Sequence, residues 1–181
     1  MDKLQPFAQS VLDAFSKKNQ RKLRKLNDAI LKESVMNFTI PLYELAVLSY
    51  VLSKIVSKPR YISKENEPRM DEITRNLQDI VKNIDLPEKK ILIKFKKIDE
   101  TIFSMEKRDA RFLRDLTSKG RLKAAATLYA QGLSLGTASE MTGMNKQDIL
   151  DYAGRTLMFD RIKEEKTIHE RMKLARTLIG G

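Results

Sequence analysis

The sequence predicts an all-α fold: an N-terminal helical bundle followed by a helix-turn-helix, with at most one short strand near residues 156–159. Apolar residues recur at three- and four-residue steps along most of the chain. Only seven Gly and five Pro interrupt its 181 residues. Long alternating runs of Val, Thr and aromatics are missing, so an extensive sheet is not expected.

Helix by helix, the pattern reads as follows. Residues 4–15 place Phe7, Val11, Leu12 and Phe15 on one face. Residues 18–36 turn Leu23, Leu26, Ile30 and Leu31 inward. Residues 41–57 form the most apolar helix, with Pro41 tolerated in its first turn and Lys58-Pro59-Arg60 ending it. A polar loop through Asn66-Glu67-Pro68 leads to a fourth helix, where Ile73, Leu77, Ile80 and Ile84 make a narrow stripe. Pro87 opens a fifth, expected to run from Glu88 to Ser118. Its stripe of Ile91, Phe95, Ile98, Ile102, Met105, Phe112 and Leu116 is broken only by Asp109. Such a helix would be roughly 45 Å long at 1.5 Å per residue. It serves packing within the bundle or a homodimer seam.

Ser118-Lys119-Gly120 is the expected domain boundary, dividing a bundle over 1–118 from a helix-turn-helix domain over 119–181. Residues 121–131 lead into the motif, with Gly132 as C-terminal cap. Ser134 is the expected N-cap of the first motif helix and Asn145 that of the second, with Asp148 as its capping-box acid. Between them Thr142-Gly143-Met144 supplies a left-handed residue. Ala138 and Ser139 are small where the helices must cross, and Met144 and Ile149 are apolar where they must seat. Gly154 ends the second helix. A T-x-x-E box at Thr167 and Glu170 starts a closing helix over 168–178.

The run SLGTASEMTGMNKQDIL, residues 134–150, resembles the helix-turn-helix of small bacterial and archaeal antitoxin-type regulators. Ser134, Leu135, Gly136, Ala138, Glu140, Gly143 and Met144 carry the likeness. It continues weakly through residues 155–160, an extended segment in that family, and reaches nothing N-terminal to about Lys119. The resemblance implies a regulator that binds double-stranded DNA and allows a homodimer, with the N-terminal bundle as the part that would oligomerise or bind a protein partner. It places Asn145, Lys146 and Gln147 at the start of the recognition helix, where side chains meet base edges. It places Ser134 and Thr137 beside the DNA backbone. Against it stand Asp148 and Asp151, which phosphates would repel, and Leu150, apolar where DNA readers are often polar. A protein-packing role for the motif, in an adaptor or assembly protein, is the alternative, with Asp151 paired to Arg155.

The net charge of +11 favours an anionic partner. Most of the excess lies N-terminal to the motif. Lys17, Lys18, Arg21, Lys22, Arg24 and Lys25 follow one another without an acid. They suit nonspecific phosphate contact, to DNA or structured RNA; the plainer account is a solvated helical face. Lys89, Lys90, Lys94, Lys96 and Lys97 form a second such group. Few aromatics fall outside core spacing, which disfavours single-strand stacking.

Other classes fall away. With no Cys, disulfides, thiol nucleophiles and thiolate metal sites are excluded. The single His169, four residues after Glu165, is half a metal site at most, so neither metal nor cofactor is expected. No phosphate-cradling glycine loop, nucleophile elbow or paired-carboxylate motif is found, and a non-enzymatic protein is expected. Residues 1–16 lack the apolar run of a signal peptide. The apolar segment 40–56 contains Pro41, Glu44, Ser49 and Ser53, which fits a buried helix better than a membrane span. The expected location is cytoplasmic.

Overall fold

The computed structural model describes residues 3–108 and 116–161, and every regular element among them is helical. The first helix, α1 (Leu4–Ser16), buries Leu4, Ala8, Val11, Leu12 and Phe15. It closes through Lys18, whose φ of +50° is left-handed, and Asn19 N then donates to Ala14 O at 2.8 Å. The next helix, α2 (Gln20–Met36), begins after Asn19 because Asn19 Oδ1 caps it, accepting from Lys22 N at 2.9 Å. Lys17 and Lys18 therefore sit in the turn, ahead of the helix the pattern assigned to Lys18.

Thr39 caps α3 (Ile40–Ile55), its hydroxyl accepting from Leu42 N at 3.3 Å, with Pro41 in the first turn. Two 3₁₀ turns, Pro59–Ile62 and Lys64–Asn66, lead to α4 (Glu67–Lys82). Then come α5 (Glu88–Arg108) and α6 (Leu116–Ala130). Twelve of the sixteen α3 residues are buried, so α3 is the axis on which α1, α2, α5 and α6 pack. Its buried Ser49 and Ser53 keep their hydroxyls satisfied within the helix, donating to Leu45 O at 2.9 Å and Tyr50 O at 2.6 Å. α4 lies against α1 and α5 and buries Ile73, Leu77 and Ile80. Ile91, Phe95, Ile98, Ile102 and Met105 of α5 are buried as their stripe requires.

Two expectations are corrected here. The long fifth helix is described only to Arg108, and Leu116 belongs to α6; Asp109 and Phe112 lie outside the described residues. The break at Ser118-Lys119-Gly120 is absent, because all three residues lie inside α6. Gly120 is needed there for close approach. A Cβ on it would stand 3.2 Å from Tyr50 Cδ1 and from Val51 Cγ2, and 3.3 Å from Val47 Cγ1.

α6 is apolar on two flanks. Leu116, Ala124 and Leu128 join the bundle core, while Ala125 and Ala126 join a second, smaller core. A polar knot fixes its bundle side. Arg121 clasps both carboxylate oxygens of Glu44, with Nη2 at 2.8 Å from Oε2, and Nη2 reaches Asp99 Oδ2 at 3.3 Å. Tyr43 donates its hydroxyl to Arg121 O at 3.3 Å. Burial pushes the Asp99 carboxyl up to about 6. The attraction of Arg121 opposes the shift, and the Glu44 charge adds to it.

The second core is formed with α7 (Leu135–Thr142), α8 (Lys146–Arg155) and α9 (Met158–Arg161). The short strand expected near residues 156–159 does not form. Thr156 and Leu157 make a turn, Leu157 with φ +48°, and Met158 then starts the helical turn of α9. Thr156 spends its hydroxyl on Tyr152 O at 2.7 Å, and Phe159 meets Tyr129 edge-on with ring centroids 5.2 Å apart. Met158 is buried in the same core as Ala125 and Ala126 of α6, so both Met158 and Phe159 face α6, whereas consecutive residues of a strand would point to opposite sides. Residues 167–170, His169 and the expected closing helix lie outside the described residues. Among the described residues, no helix is long and apolar enough to cross a membrane.

Candidate nucleic-acid interface

The motif is built from three local signals. Ser134 caps α7: its Oγ accepts from Thr137 N at 3.0 Å and lies 2.8 Å from Thr137 Oγ1. Gly143 ends α7 in the left-handed region, φ +69° and ψ 9°, which a residue with a Cβ adopts only at a cost. Asn145 caps α8, with Oδ1 accepting from Gln147 N at 2.8 Å. The cap thus reaches the second helical residue, while Asp148 stands exposed in the first turn, where the helix dipole favours an acid. Ser139 Oγ donates to Met144 O at 2.7 Å and ties the turn back onto α7.

Small residues let the helices meet. Ala138 of α7, Ala125 and Ala126 of α6, and Ala153 of α8 are buried together, and Ile149 is the one large aliphatic from α8 sealed among them. The inner face of α8 is therefore Ile149, Tyr152 and Ala153. Its outer face, Lys146, Gln147, Asp148, Leu150, Asp151, Gly154 and Arg155, is exposed.

The side chains on that outer face are partly engaged with one another. Gln147 Nε2 donates to Asp151 Oδ1 at 2.8 Å, and Arg155 Nε donates to the Asp151 backbone oxygen at 3.2 Å. The expected Asp151–Arg155 carboxylate pair is thus replaced by a Gln147–Asp151 hydrogen bond. Lys146 and Arg155 balance Asp148 and Asp151, so the face carries no net charge. It can sort base edges by hydrogen bonding, yet gains little from phosphates. Asn145 has already spent its acceptor on the cap. Ser134 and Thr137 are both exposed and bonded to each other at the start of α7.

The basic run lies on the bundle. Lys17, Lys18, Arg21, Lys22, Arg24 and Lys25 are all exposed along the α1–α2 turn and the first two turns of α2. They belong to α2 and the turn before it, whose main neighbours are α1, α3 and α6. Arg24 differs in that, after burial, its charge contributes to lowering the pKa of Lys54, and it opposes the burial-driven rise at Tyr50, both on α3. The sequence reading did not single out Tyr50 or Lys54, because residues spread over two helices leave no local pattern.

No protein-family pattern, curated protein or solved structure matches the chain.

Proposed function

We propose that this chain is a non-enzymatic, cytoplasmic DNA-binding regulator that reads duplex DNA with the outer face of α8. The observation that carries the reading is the presentation of that helix. Ile149 and Ala153 anchor it from beneath, a left-handed Gly143 sets the turn, and the whole opposite face is left exposed. A helix displayed this way fits the major groove, with residues of its first turns toward the base edges. Lys146 and Gln147 are the readers. Ser134 and Thr137, with the amides at the start of α7, sit at the backbone, and the basic run of α1–α2 supplies sequence-independent attraction.

Fluorescence anisotropy with fragmented genomic duplex and random duplex, at low and near-physiological salt, tests this. Enrichment of particular fragments that persists at the higher salt supports a sequence reader. Uniform binding that vanishes with salt contradicts it.

One observation favours a second reading, a protein-packing face. Leu150 is 38% exposed on the outer face of α8, and Leu157 and Phe159 beyond it are 63% and 51% exposed. On this reading Leu150→Gln abolishes partner capture. On the DNA reading it leaves the preference among duplexes in place.

A further inference from the structure

The inward stripe of α5 is spent on the bundle core, where Ile91, Phe95, Ile98 and Ile102 are buried, so it is closed to any partner. The opposite side of the same helix carries a second stripe. Ile93, Lys96, Glu100 and Phe103 recur at three-, four- and three-residue steps, which sets them along one face. All four are exposed, on the side of α5 turned away from α3 and α4. Ile93 is 57% exposed. Phe103 holds a contact within the chain and still leaves 55% of its surface uncovered. Two large apolar side chains thus stand at the ends of the stripe, with a cation and an anion between them.

One exposed apolar side chain needs no explanation. The order of these four residues does, because it is self-complementary. The pairs Ile93–Phe103 and Lys96–Glu100 are both centred on residue 98. A two-fold axis through that point, perpendicular to α5, lays a second copy of the helix antiparallel to the first. Ile93 then meets Phe103 of the second copy, and Lys96 meets Glu100 of the second copy. Each contact is made twice, as a two-fold interface requires. Other arrangements are worse. A parallel pair sets Lys96 against Lys96 and Glu100 against Glu100. Sliding the antiparallel pair by one heptad sets Ile93 against Lys96 or Phe103 against Glu100. Like charges and mismatched apolar groups therefore disfavour those registers.

We propose that the outward stripe of α5 is a homodimer seam, occupied by the same stripe of a second copy of this chain. From Ile93 to Phe103 the stripe is about 15 Å long at 1.5 Å per residue, so the seam is short. Lys89, Lys90 and Lys97 add like charge at its edges. The association is accordingly weak and concentration-dependent, unlike the broad apolar interface of an obligate dimer. The seam lies on the bundle and needs no nucleic acid, so it goes beyond the DNA-binding reading and does not depend on it.

Sedimentation equilibrium of the full chain tests it, over a concentration series at one ionic strength and without nucleic acid. The parent should pass from monomer to dimer as concentration rises. Lys96→Glu sets two pairs of carboxylates face to face, and Glu100→Lys two pairs of ammonium groups. Each should weaken self-association about tenfold or more. Lys96→Glu/Glu100→Lys exchanges the charges and should restore it. An equimolar mixture of the two single variants should associate although neither does alone, which separates lost pairing from lost folding. Lys96 and Glu100 can also pair within one helix, four residues apart, but that pair alone leaves the mass unchanged in every variant. Asp28→Lys repeats the charge change of Glu100→Lys on α2 and should leave association as in the parent. Ile93→Gln should weaken it in the parent and in the double reversal alike.

A parent that stays monomeric throughout overturns the second copy as occupant. Association untouched by both single reversals, or not restored by the double reversal, overturns this face and register.

Discussion

The two cores of this molecule are built from different residues. The bundle core is made of branched and aromatic side chains around α3, including Phe15, Leu23, Ile30, Leu45, Leu52, Ile73 and Ile91. The core beneath the motif is mostly alanine, with Ile149 and Met158 as its large members. Alanines bring α6, α7 and α8 close but bury little area, at about 25 cal/mol per Å² of apolar surface. The bundle can therefore stand on its own packing, whereas the motif depends on α6. That helix is in turn fixed by Gly120 against α3 and by Arg121 against Glu44 and Asp99. A display surface on a thin layer needs a thick one behind it, and here a single helix belongs to both.

The largest effects should separate the two cores. Leu52→Ala should destabilise the whole chain by about 2–5 kcal/mol, seen as a lower denaturant midpoint and faster amide exchange in both regions. Ile149→Ala removes similar chemistry, and it should accelerate exchange in α7 and α8 while α3 amides keep their parent rates. Equal acceleration in α3 would show one cooperative unit and break the comparison.

A smaller cost is expected where the two layers join. Gly120→Ala forces a methyl against Tyr50, Val51 and Val47, and should cost about 1–2 kcal/mol of overpacking after the helix-propensity gain of alanine is subtracted. Thermal unfolding reads this directly; a stabilised variant would mean that α3 and α6 separate freely.

Two backbone positions should move in opposite directions by about 1 kcal/mol each. Gly143→Ala meets a φ of +69° and should weaken α7–α8. Lys18→Gly relieves a φ of +50° in a residue that carries a Cβ, so it should stabilise the bundle while weakening duplex binding. A Lys18→Gly variant with unchanged duplex affinity would remove Lys18 from the interface.

The smallest effect concerns Asp99. Its folded carboxyl titrates near 6, above the ordinary Asp value near 3.9, so the native state holds the proton more tightly. Its contribution to stability therefore falls as pH rises from about 4 to about 6, and is least favourable above that window. Asp99→Asn should flatten this dependence and gain up to about 1 kcal/mol at neutral pH, a figure kept low because the side chain is one-third exposed. Parent and variant compared by denaturant titration across pH 4–7 isolate the group. A parallel pair of curves would contradict the shift.

How much of this was legible in the sequence depends on the range of the signal. The helical stripes and the caps at Ser134, Gly143 and Asn145 are local; the structure uses the three caps at their predicted positions and buries most of the described stripe residues. Glycine misled at residue 120, since a loop and a close helix crossing ask for the same residue. Thr156 and Phe159 have strand propensity, but a hydroxyl bond to Tyr152 and an edge contact with Tyr129 override it. The Glu44–Asp99–Arg121 knot joins residues scattered along the chain, so no spacing announced it. Of the candidate interface, α8 was therefore readable, and the junction behind it was not.

The central claim, that α8 reads sequence while the bundle supplies unspecific attraction, is tested most directly by a specificity ratio. The affinity for the best-enriched genomic fragment is divided by that for random duplex, in the parent, in Lys146→Ala/Gln147→Ala, and in Arg21→Gln/Lys22→Gln. The α8 variant should lower the ratio toward one, each lost base contact being worth about 1–3 kcal/mol. The α2 variant should weaken both affinities alike and leave the ratio unchanged. A ratio that survives loss of Lys146 and Gln147, or that falls with Arg21 and Lys22, would contradict the account.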